Sequence, residues 1–336
     1  EILEPYIQKP VIPGIECVGE IADASDTNFH AGQKVIAMMG GMGRNFNGSY
    51  AEFALLPAHH VFSVETDLSW ENLAAIPETY FTAWGSLFEC LRLKAGDTLL
   101  IRGATCALGY AAIQIAKTLG AKVIATTHRE SKFSLLRDAD EIILDDGKLS
   151  GKISANKALD LVGPKVLRDT LKTVTPSAEA FVCSTGILGG VEVLDSFDPI
   201  PAIPNGVYLT GFYSNTPTQA VVDAIFNFIA ENNLAENARE RGAQLKAGLE
   251  TLQKKYPIIG DVRGIGLMIG AEFVHADKTP AAKELDEVLE ILKDRGFIVG
   301  KGGVGRNVMA FQPPLVITEK NVDDVLNALD LVLSKR

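Results

Sequence analysis

Residues 98–132 read TLLIRGATCALGYAAIQIAKTLGAKVIATTHRESK, and the fold turns on this stretch. Leu99, Leu100 and Ile101 form an apolar run too short for a helix, and Gly103 ends it. From Ala107 to Leu119 the apolar residues return at helical spacing, with Gly120 placed to cap the C-terminus. Val123, Ile124 and Ala125 make a second strand. A strand, a glycine turn and a helix in this order aim unpaired backbone N–H groups and the positive helix end at an anion such as a pyrophosphate. Gly103 and Gly109 permit the tight turn and the close helix–strand approach.

The glycine spacing alone is G-x-x-x-x-x-G rather than the fuller G-x-G-x-x-G, and an ordinary strand–helix turn would share it. The order of the surrounding elements decides. Further strands are expected at 141–144, 158–162, 180–183 and 207–211, with helices at 131–137 and 166–174. This alternation predicts an α/β fold, a doubly wound Rossmann-type parallel sheet of six strands over 91–230. Its ligand is expected at the switch point beside Gly103.

The end of the second strand carries chemistry. A site for NAD places an acid there to bond the ribose 2′-hydroxyl. This chain has Thr126, Thr127, His128 and Arg129, with Lys132 one turn on. Cations in a first helical turn oppose the macrodipole unless an anion meets them. A 2′-phosphate is such an anion, so the expected cofactor is NADP(H). A solvated helix start is the plainer alternative for Arg129 and Lys132.

At 336 residues the chain is long enough for two or three domains. A net charge of −10 counts against nucleic-acid binding and against an anionic membrane surface. No apolar run approaches membrane-spanning length, and no leader is read at the start. Cys17, Cys90, Cys106 and Cys183 lack paired spacing and read as reduced, mostly buried thiols, which places the chain in the cytoplasm. A catalytic zinc needs three protein ligands and a structural zinc four. His30, His59, His60, His128 and His275 stand at no ligand spacing with a cysteine, so no metal is expected.

The ordered set PVIPGIECVGEI, GSYAEFALLP, PETYFTAW, LKAGDTLLIRGATCALGYAAIQIAK, LDLVG and STGILGG lies within residues 9–230. It resembles the medium-chain dehydrogenase/reductase superfamily, in its zinc-free quinone oxidoreductase-like branch. Zinc-bearing relatives have Gly-His-Glu where this chain has Gly14-Ile15-Glu16. The resemblance implies hydride transfer from NADPH to a quinone or an α,β-unsaturated carbonyl, a small-molecule substrate, achieved by positioning. It implies that Thr82 approaches the nicotinamide and that Gly103, Ala104, Thr105, Cys106, Ala107, Leu108 and Gly109 form the phosphate turn. Cys106 and Leu108 stand where small residues or valine are usual. Thr127, His128, Arg129 and Lys132 are implied for the 2′-phosphate, and Val162 and Gly163 for the adenine–ribose side. Thr185, Gly186 and Ile187 would pass beneath the nicotinamide ring, and residues 207–212 resemble an edge strand that pairs such enzymes into homodimers. Tyr50 and Tyr80 are candidate proton donors, weighed against packed aromatics.

The chain departs from that family at both ends. It begins a few residues before PGIECVGE, so residues 1–80 are read as a truncated GroES-like β-rich substrate domain, ahead of the nucleotide-binding domain 81–230. After a helix at 218–230 the polar seam Glu231-Asn232-Asn233 leads into 231–336, which does not return to that substrate domain. Instead ENARERGAQLKAGLETLQ, IIGDVRGIGLMIGAEFV, FIVGKGGVGRNV and QPPLVITEKNVDDVLNALD resemble the C-terminal small domain of class III pyridoxal-phosphate aminotransferases. That segment reads as helices at 235–255 and 281–294, strands at 267–273, 297–300 and 308–311, and a last helix capped by Thr318. The Schiff-base lysine and its acidic partner belong to that family's large domain, and Asn307-Val308-Met309-Ala310 lacks the arginine of its Asn-Val-Leu-Arg pattern. Pyridoxal phosphate is therefore not the expected cofactor. Three readings remain open: an NADPH-dependent oxidoreductase, an aminotransferase fragment, and a fused nucleotide-binding protein without turnover.

Overall fold

The computed structural model describes residues 10–335, apart from residues 26, 191, 192, 216, 298, 312, 314 and 316. It divides into two compact units. One takes in the described residues up to Glu130 and Asp138–Glu231; the other takes in Ser131–Arg137 and the residues from Asn232 onward.

The first unit opens with three short strands, β1 (Glu16–Glu20), β2 (Lys34–Met38) and β3 (Val61–Ser63), in an antiparallel sheet with β2 central. Val35 to Met38 are buried along the central strand. Helix α1 (Trp70–Ala74) starts where the Ser69 hydroxyl accepts the N–H of Asn72. Helix α2 (Pro77–Trp84) starts at a proline, whose missing N–H costs nothing in a first turn. It runs on into a π-helical turn, Gly85–Cys90, closed by the Leu91 N–H on the Ser86 carbonyl at 3.0 Å.

Six parallel strands follow: β4 (Thr98–Arg102), β5 (Lys122–Thr127), β6 (Glu141–Leu144), β7 (Lys157–Asp160), β8 (Ala180–Ser184) and β9 (Val207–Gly211). Their spatial order is β6-β5-β4-β7-β8-β9. The chain winds outward from β4 to β6, then crosses back to β7 on the other side of β4, so the switch point lies between β4 and β7. Leu99 to Arg102 and all of β7 are buried, as strands covered on both faces require. Helices α3 (Ala107–Leu119), α4 (Pro164–Thr170), α5 (Pro199–Ala202) and α6 (Gln219–Glu231) complete this unit. Gly120 takes the left-handed C-cap with φ 86°, as its position after Leu119 predicts.

Some boundaries differ from the reading of the sequence, for local reasons. Strand β7 stops at Asp160 because that carboxylate turns back to accept the N–H groups of Val162 (2.9 Å) and Gly163 (2.8 Å). The following helix begins at Pro164 and not at 166, since Gly163 with φ 92° reverses the chain just ahead of it. Residues expected to form a helix at 131–137 form a 3-10 turn, Glu130–Leu136. Only Cys183 is fully buried among the cysteines; the other three are half-buried.

In the second unit, α7 (Leu234–Lys255), α8 (Ala282–Asp294) and α9 (Glu319–Leu333) accompany an antiparallel sheet ordered β10-β11-β13-β12. Its strands are β10 (Ile259–Ile265), β11 (Met268–Phe273), β12 (Gly300–Gly302) and β13 (Val308–Phe311). Strand β10 escapes the sequence reading because Gly260, Asp261, Arg263 and Gly264 interrupt its apolar alternation. The core joins Leu245, Leu249, Phe273, Val288, Met309 and Leu329. Thr318 caps α9 and forms a reciprocal box with Asn321.

Candidate functional site

The turn from Gly103 to Cys106 leaves the C-terminal end of β4 at the switch point. Gly103 has φ 80°, its N–H donates to the Thr126 hydroxyl at 3.1 Å, and the next N–H, of Ala104, donates to the Thr126 carbonyl at 2.9 Å. A Cβ on Gly103 would stand 2.8 Å from Val162 Cγ2, and one on Gly109 would stand 2.2 Å from the Ala104 oxygen. Glycine is needed at both places for the helix to start this close to the strand. The Cys106 Sγ acts as N-cap, accepting the Gly109 N–H at 3.4 Å. The N–H groups of a first helical turn have no acceptor within their own helix and carry its positive dipole end.

Around this turn the ends of the neighbouring strands supply the other expected positions. Thr105 and Thr127 share a hydroxyl contact at 3.4 Å, and Thr127 Oγ1 accepts the Arg129 N–H at 3.4 Å. Arg129 is exposed, with Nε donating to His128 Nε2 at 3.0 Å. Lys132 belongs to the segment Ser131–Arg137 of the other unit. On the opposite side, the Thr185 N–H donates to the Asp160 carbonyl at 3.0 Å, and the Leu188 and Gly189 N–H groups donate to the carbonyls of Leu161 and Val162. A Cβ on Gly186 would stand 2.2 Å from the Leu161 oxygen, so residues 185–189 lie flush against 160–163. Ile187 and Leu188 remain exposed above them. The structure thus gathers the turn, Thr127, Val162, Gly163 and Thr185 to Ile187 at the C-terminal ends of β4, β5, β7 and β8.

The remaining candidates behave differently. Thr82 is buried, and its hydroxyl donates to Glu78 Oε1 at 2.7 Å. Tyr80 is buried, with its hydroxyl donating to Gln114 Oε1 at 2.5 Å, and burial pushes its pKa well above the ordinary phenol value. That proton is committed to a core contact. Tyr50 is 78% exposed. Glu16, beside Ile15, accepts the Glu78 N–H at 2.8 Å, and burial raises its pKa. Among the described residues no three His, Cys, Asp or Glu side chains group as a metal ion would require. No helix among them is long and apolar enough to cross a membrane.

Beneath the turn lies a polar network that the sequence reading missed. Arg102, fully buried, donates from Nε and Nη2 to Asp145 (2.7 and 2.9 Å) and from Nη1 to Asp169 (2.9 Å) and Thr170 (3.0 Å). Burial alone would lower the guanidinium pKa, but the Asp145 and Asp169 carboxylates outweigh it and hold it above its usual value. Thr170 in turn donates to Asp160 Oδ2 at 2.5 Å, and burial raises the Asp160 carboxyl despite that bond. The network ties the ends of β4, β6 and β7 to α4, and so holds the strand ends that flank the turn. Its signals in the sequence are a lone arginine closing the apolar run TLLIR and a lone acid in LDLVG.

A GroES-like segment ahead of a doubly wound sheet with this turn gives the first unit the architecture of the medium-chain dehydrogenase/reductase class. Residues 2–66 match the alcohol dehydrogenase GroES-like domain and residues 107–231 the zinc-binding dehydrogenase family. Within that class the chain is similar to human quinone oxidoreductase, at 29% identity over 266 residues covering 76% of this chain and 74% of the relative. The crystal structure of the yhdH oxidoreductase from Salmonella enterica in complex with NADP is 26% identical with a TM-score of 0.60, covering 68% of this chain and 72% of that one. Residues 182–333 match class-III aminotransferases, overlapping the dehydrogenase match over 182–231. The mitochondrial alanine–glyoxylate aminotransferase 2 homolog 2 of Arabidopsis thaliana is 39% identical over 130 residues, 38% of this chain. The chain spans 27% of that relative's length. Both resemblances read from the sequence are therefore present in a single chain, with the aminotransferase match beginning at 182, ahead of the seam at 231–233.

Proposed function

We propose that the first unit binds NADP(H) at the Gly103–Gly109 turn and delivers hydride to a quinone or an α,β-unsaturated carbonyl without zinc. The observation that carries this reading is the turn itself, where two glycines whose Cβ atoms would collide with Val162 and Ala104 open the helix N-terminus at the switch point. Arg129 with His128 at the end of β5 supports a 2′-phosphate there, because a guanidinium meets phosphate with charge-assisted bonds. NADP in the Salmonella yhdH structure supports the same choice. Val162 and Gly163 would flank the adenosine side, and Thr185 to Ile187 the nicotinamide side.

The nicotinamide supplies the hydride when bound; the chain orients it. Thr185 is held from two sides, by its N–H on Asp160 and by its hydroxyl at 3.0 Å from Ser86 Oγ, which fixes the loop that would support the ring. Ile187 and Leu188 offer an apolar cover. The zinc-free reading is supported by Ile15 between Gly14 and Glu16, with the Glu16 carboxylate already engaged by Glu78. Strand β9 is the sheet edge, with Tyr208 half-exposed along it, and we read it as a homodimer contact that sedimentation would register.

The test is a titration of intrinsic NADPH fluorescence, followed by the loss of NADPH absorbance on adding benzoquinone. Binding with oxidation is expected. Binding without oxidation would retain the dinucleotide site and overturn the turnover claim; no binding would overturn both.

The match over 182–333 favours a second reading, in which the second unit serves as part of a pyridoxal-phosphate enzyme. Against it, Lys301 Nζ is engaged within its own unit, by Asp286 at 2.5 Å and the Ala282 carbonyl at 3.0 Å. Arg263 is likewise held between Asp261 and Glu272. Incubation with pyridoxal phosphate should leave no protein-bound visible absorbance; a bound band would support the second reading.

A further inference from the structure

Cys90 and Cys183 stand 93 residues apart in the chain and meet at one end of the sheet. Gly85 allows this: a Cβ there would lie 2.0 Å from the Phe212 ring, so the π-helical turn Gly85–Cys90 presses directly on the chain leaving β9. The contact brings Cys90 Sγ to 3.6 Å from the carbonyl of Gly211. Gly211 pairs with Ser184 and Cys183 with Thr210, at successive steps of the β8–β9 ladder, and Ser86 Oγ of the same π-helical turn as Cys90 lies 3.0 Å from Thr185 Oγ1. Thr185 Oγ1 lies 3.1 Å from Cys183 Sγ, and the neighbouring Cys183 lowers the Cys90 pKa. Cys183 is fully buried and Cys90 half-buried, so one thiol can meet a small solute and the other waits behind it.

We propose that Cys90 and Cys183 form a peroxide-reactive thiol pair, in which Cys90 is oxidised first and Cys183 resolves it to an intramolecular disulfide. The Cys90 thiolate attacks one oxygen of hydrogen peroxide and becomes a sulfenic acid, releasing hydroxide. That hydroxide takes up the proton Cys90 gave up, as the first water; the Cys183 sulfur then displaces the sulfenic hydroxyl, which leaves with the Cys183 proton as the second water. The balance is two thiols and one peroxide to one disulfide and two waters. The greater exposure of Cys90 sets the order, and its neighbours Cys183 and Thr210 favour its thiolate against burial and the Glu89 charge. The other two thiols are placed differently. Burial and the Glu16 charge raise the Cys17 pKa, and Cys106 Sγ caps α3.

The pair does not depend on the dinucleotide reading. Treating the full chain with a small molar excess of hydrogen peroxide and mapping its peptides tests it. The expected result is loss of two thiols and a 90–183 cross-link within one chain, reversed by dithiothreitol. Cys183→Ser should leave Cys90 as a sulfenic acid that dimedone traps, and Cys90→Ser should leave Cys183 reduced. Oxidation of Cys17 or Cys106 first, a cross-link between chains, or Cys90 over-oxidised beside a free Cys183 in the unsubstituted protein would each overturn the proposal. The cross-link map is read on the unsubstituted chain, so a variant that fails to fold does not remove the test.

Discussion

The Cβ that Gly109 lacks would lie 2.2 Å from the carbonyl oxygen of Ala104, closer than any side chain can approach a backbone. That single relationship sets how near α3 begins to β4, and therefore where its first-turn N–H groups point. Gly109→Ala should force the helix away from the turn, destabilising the fold by about 1–3 kcal/mol as overpacking does. NADPH affinity should fall more than NADPH-independent stability accounts for. Thermal melting with and without NADPH checks both; an unchanged ligand-induced shift in Tm would count against the turn as the binding site.

Charge reversal at Arg129 separates the two dinucleotides. A hydrogen bond to a charged group contributes about 1.5–3 kcal/mol, so Arg129→Glu should weaken NADPH about tenfold to a hundredfold. NADH lacks the 2′-phosphate and should lose far less. Equal losses in paired fluorescence titrations would remove the 2′-phosphate from Arg129.

Arg102, itself closed to water, is matched to the carboxylates of Asp145 and the partly exposed Asp169. Removing one partner of such a pair leaves a buried charge, at a cost of about 3–5 kcal/mol. Arg102→Met should show this in urea unfolding. The double variant Arg102→Met/Asp145→Leu should recover part of the loss, because one stranded carboxylate has gone too. Additive losses would mean that the two residues are not coupled.

Tyr80 and Gln114 form a buried pair, so Tyr80→Phe should cost about 1–3 kcal/mol through the amide oxygen left without its donor. The rate of NADPH oxidation per folded molecule should not change. A selective fall in kcat at unchanged stability would restore Tyr80 as a proton donor.

The Cys90 thiol is held below its ordinary pKa by the neighbouring Cys183, and the Cys17 thiol above its own by burial. Alkylation follows the thiolate, and a lowered pKa keeps the thiolate populated as pH falls. Iodoacetamide labelling read by peptide mapping should therefore modify Cys90 at pH values where Cys17 is still inert. Cys183→Ser, which keeps a hydroxyl donor, should preserve more of this reactivity than Cys183→Ala. Identical pH profiles for Cys90 and Cys17 would show that Cys183 does not lower the Cys90 pKa.

Much of the first unit was legible because its signals are local. The run Leu99–Ile101, the break at Gly103 and the cap at Gly120 each act over a few residues, and each element stands where the pattern put it. Strand β10 was not legible, since its two glycines and alternating charges remove the apolar period on which such a reading depends. Strand β7 was read two residues too long because an acid inside an apolar run reveals nothing of the direction in which its carboxylate turns.

The sequence by itself determined the strand–turn–helix unit, the basic end of β5, the helix caps and the succession of two family resemblances. Each of these depends on residue type and short spacing. Only the tertiary structure decided that Arg102 reaches Asp145 and Asp169, 43 and 67 residues away. It alone also decided that Cys90 meets Cys183 across the end of β8. Contacts of that kind are set by the crossover connections and by the register of one strand against the next, and no local pattern encodes that register.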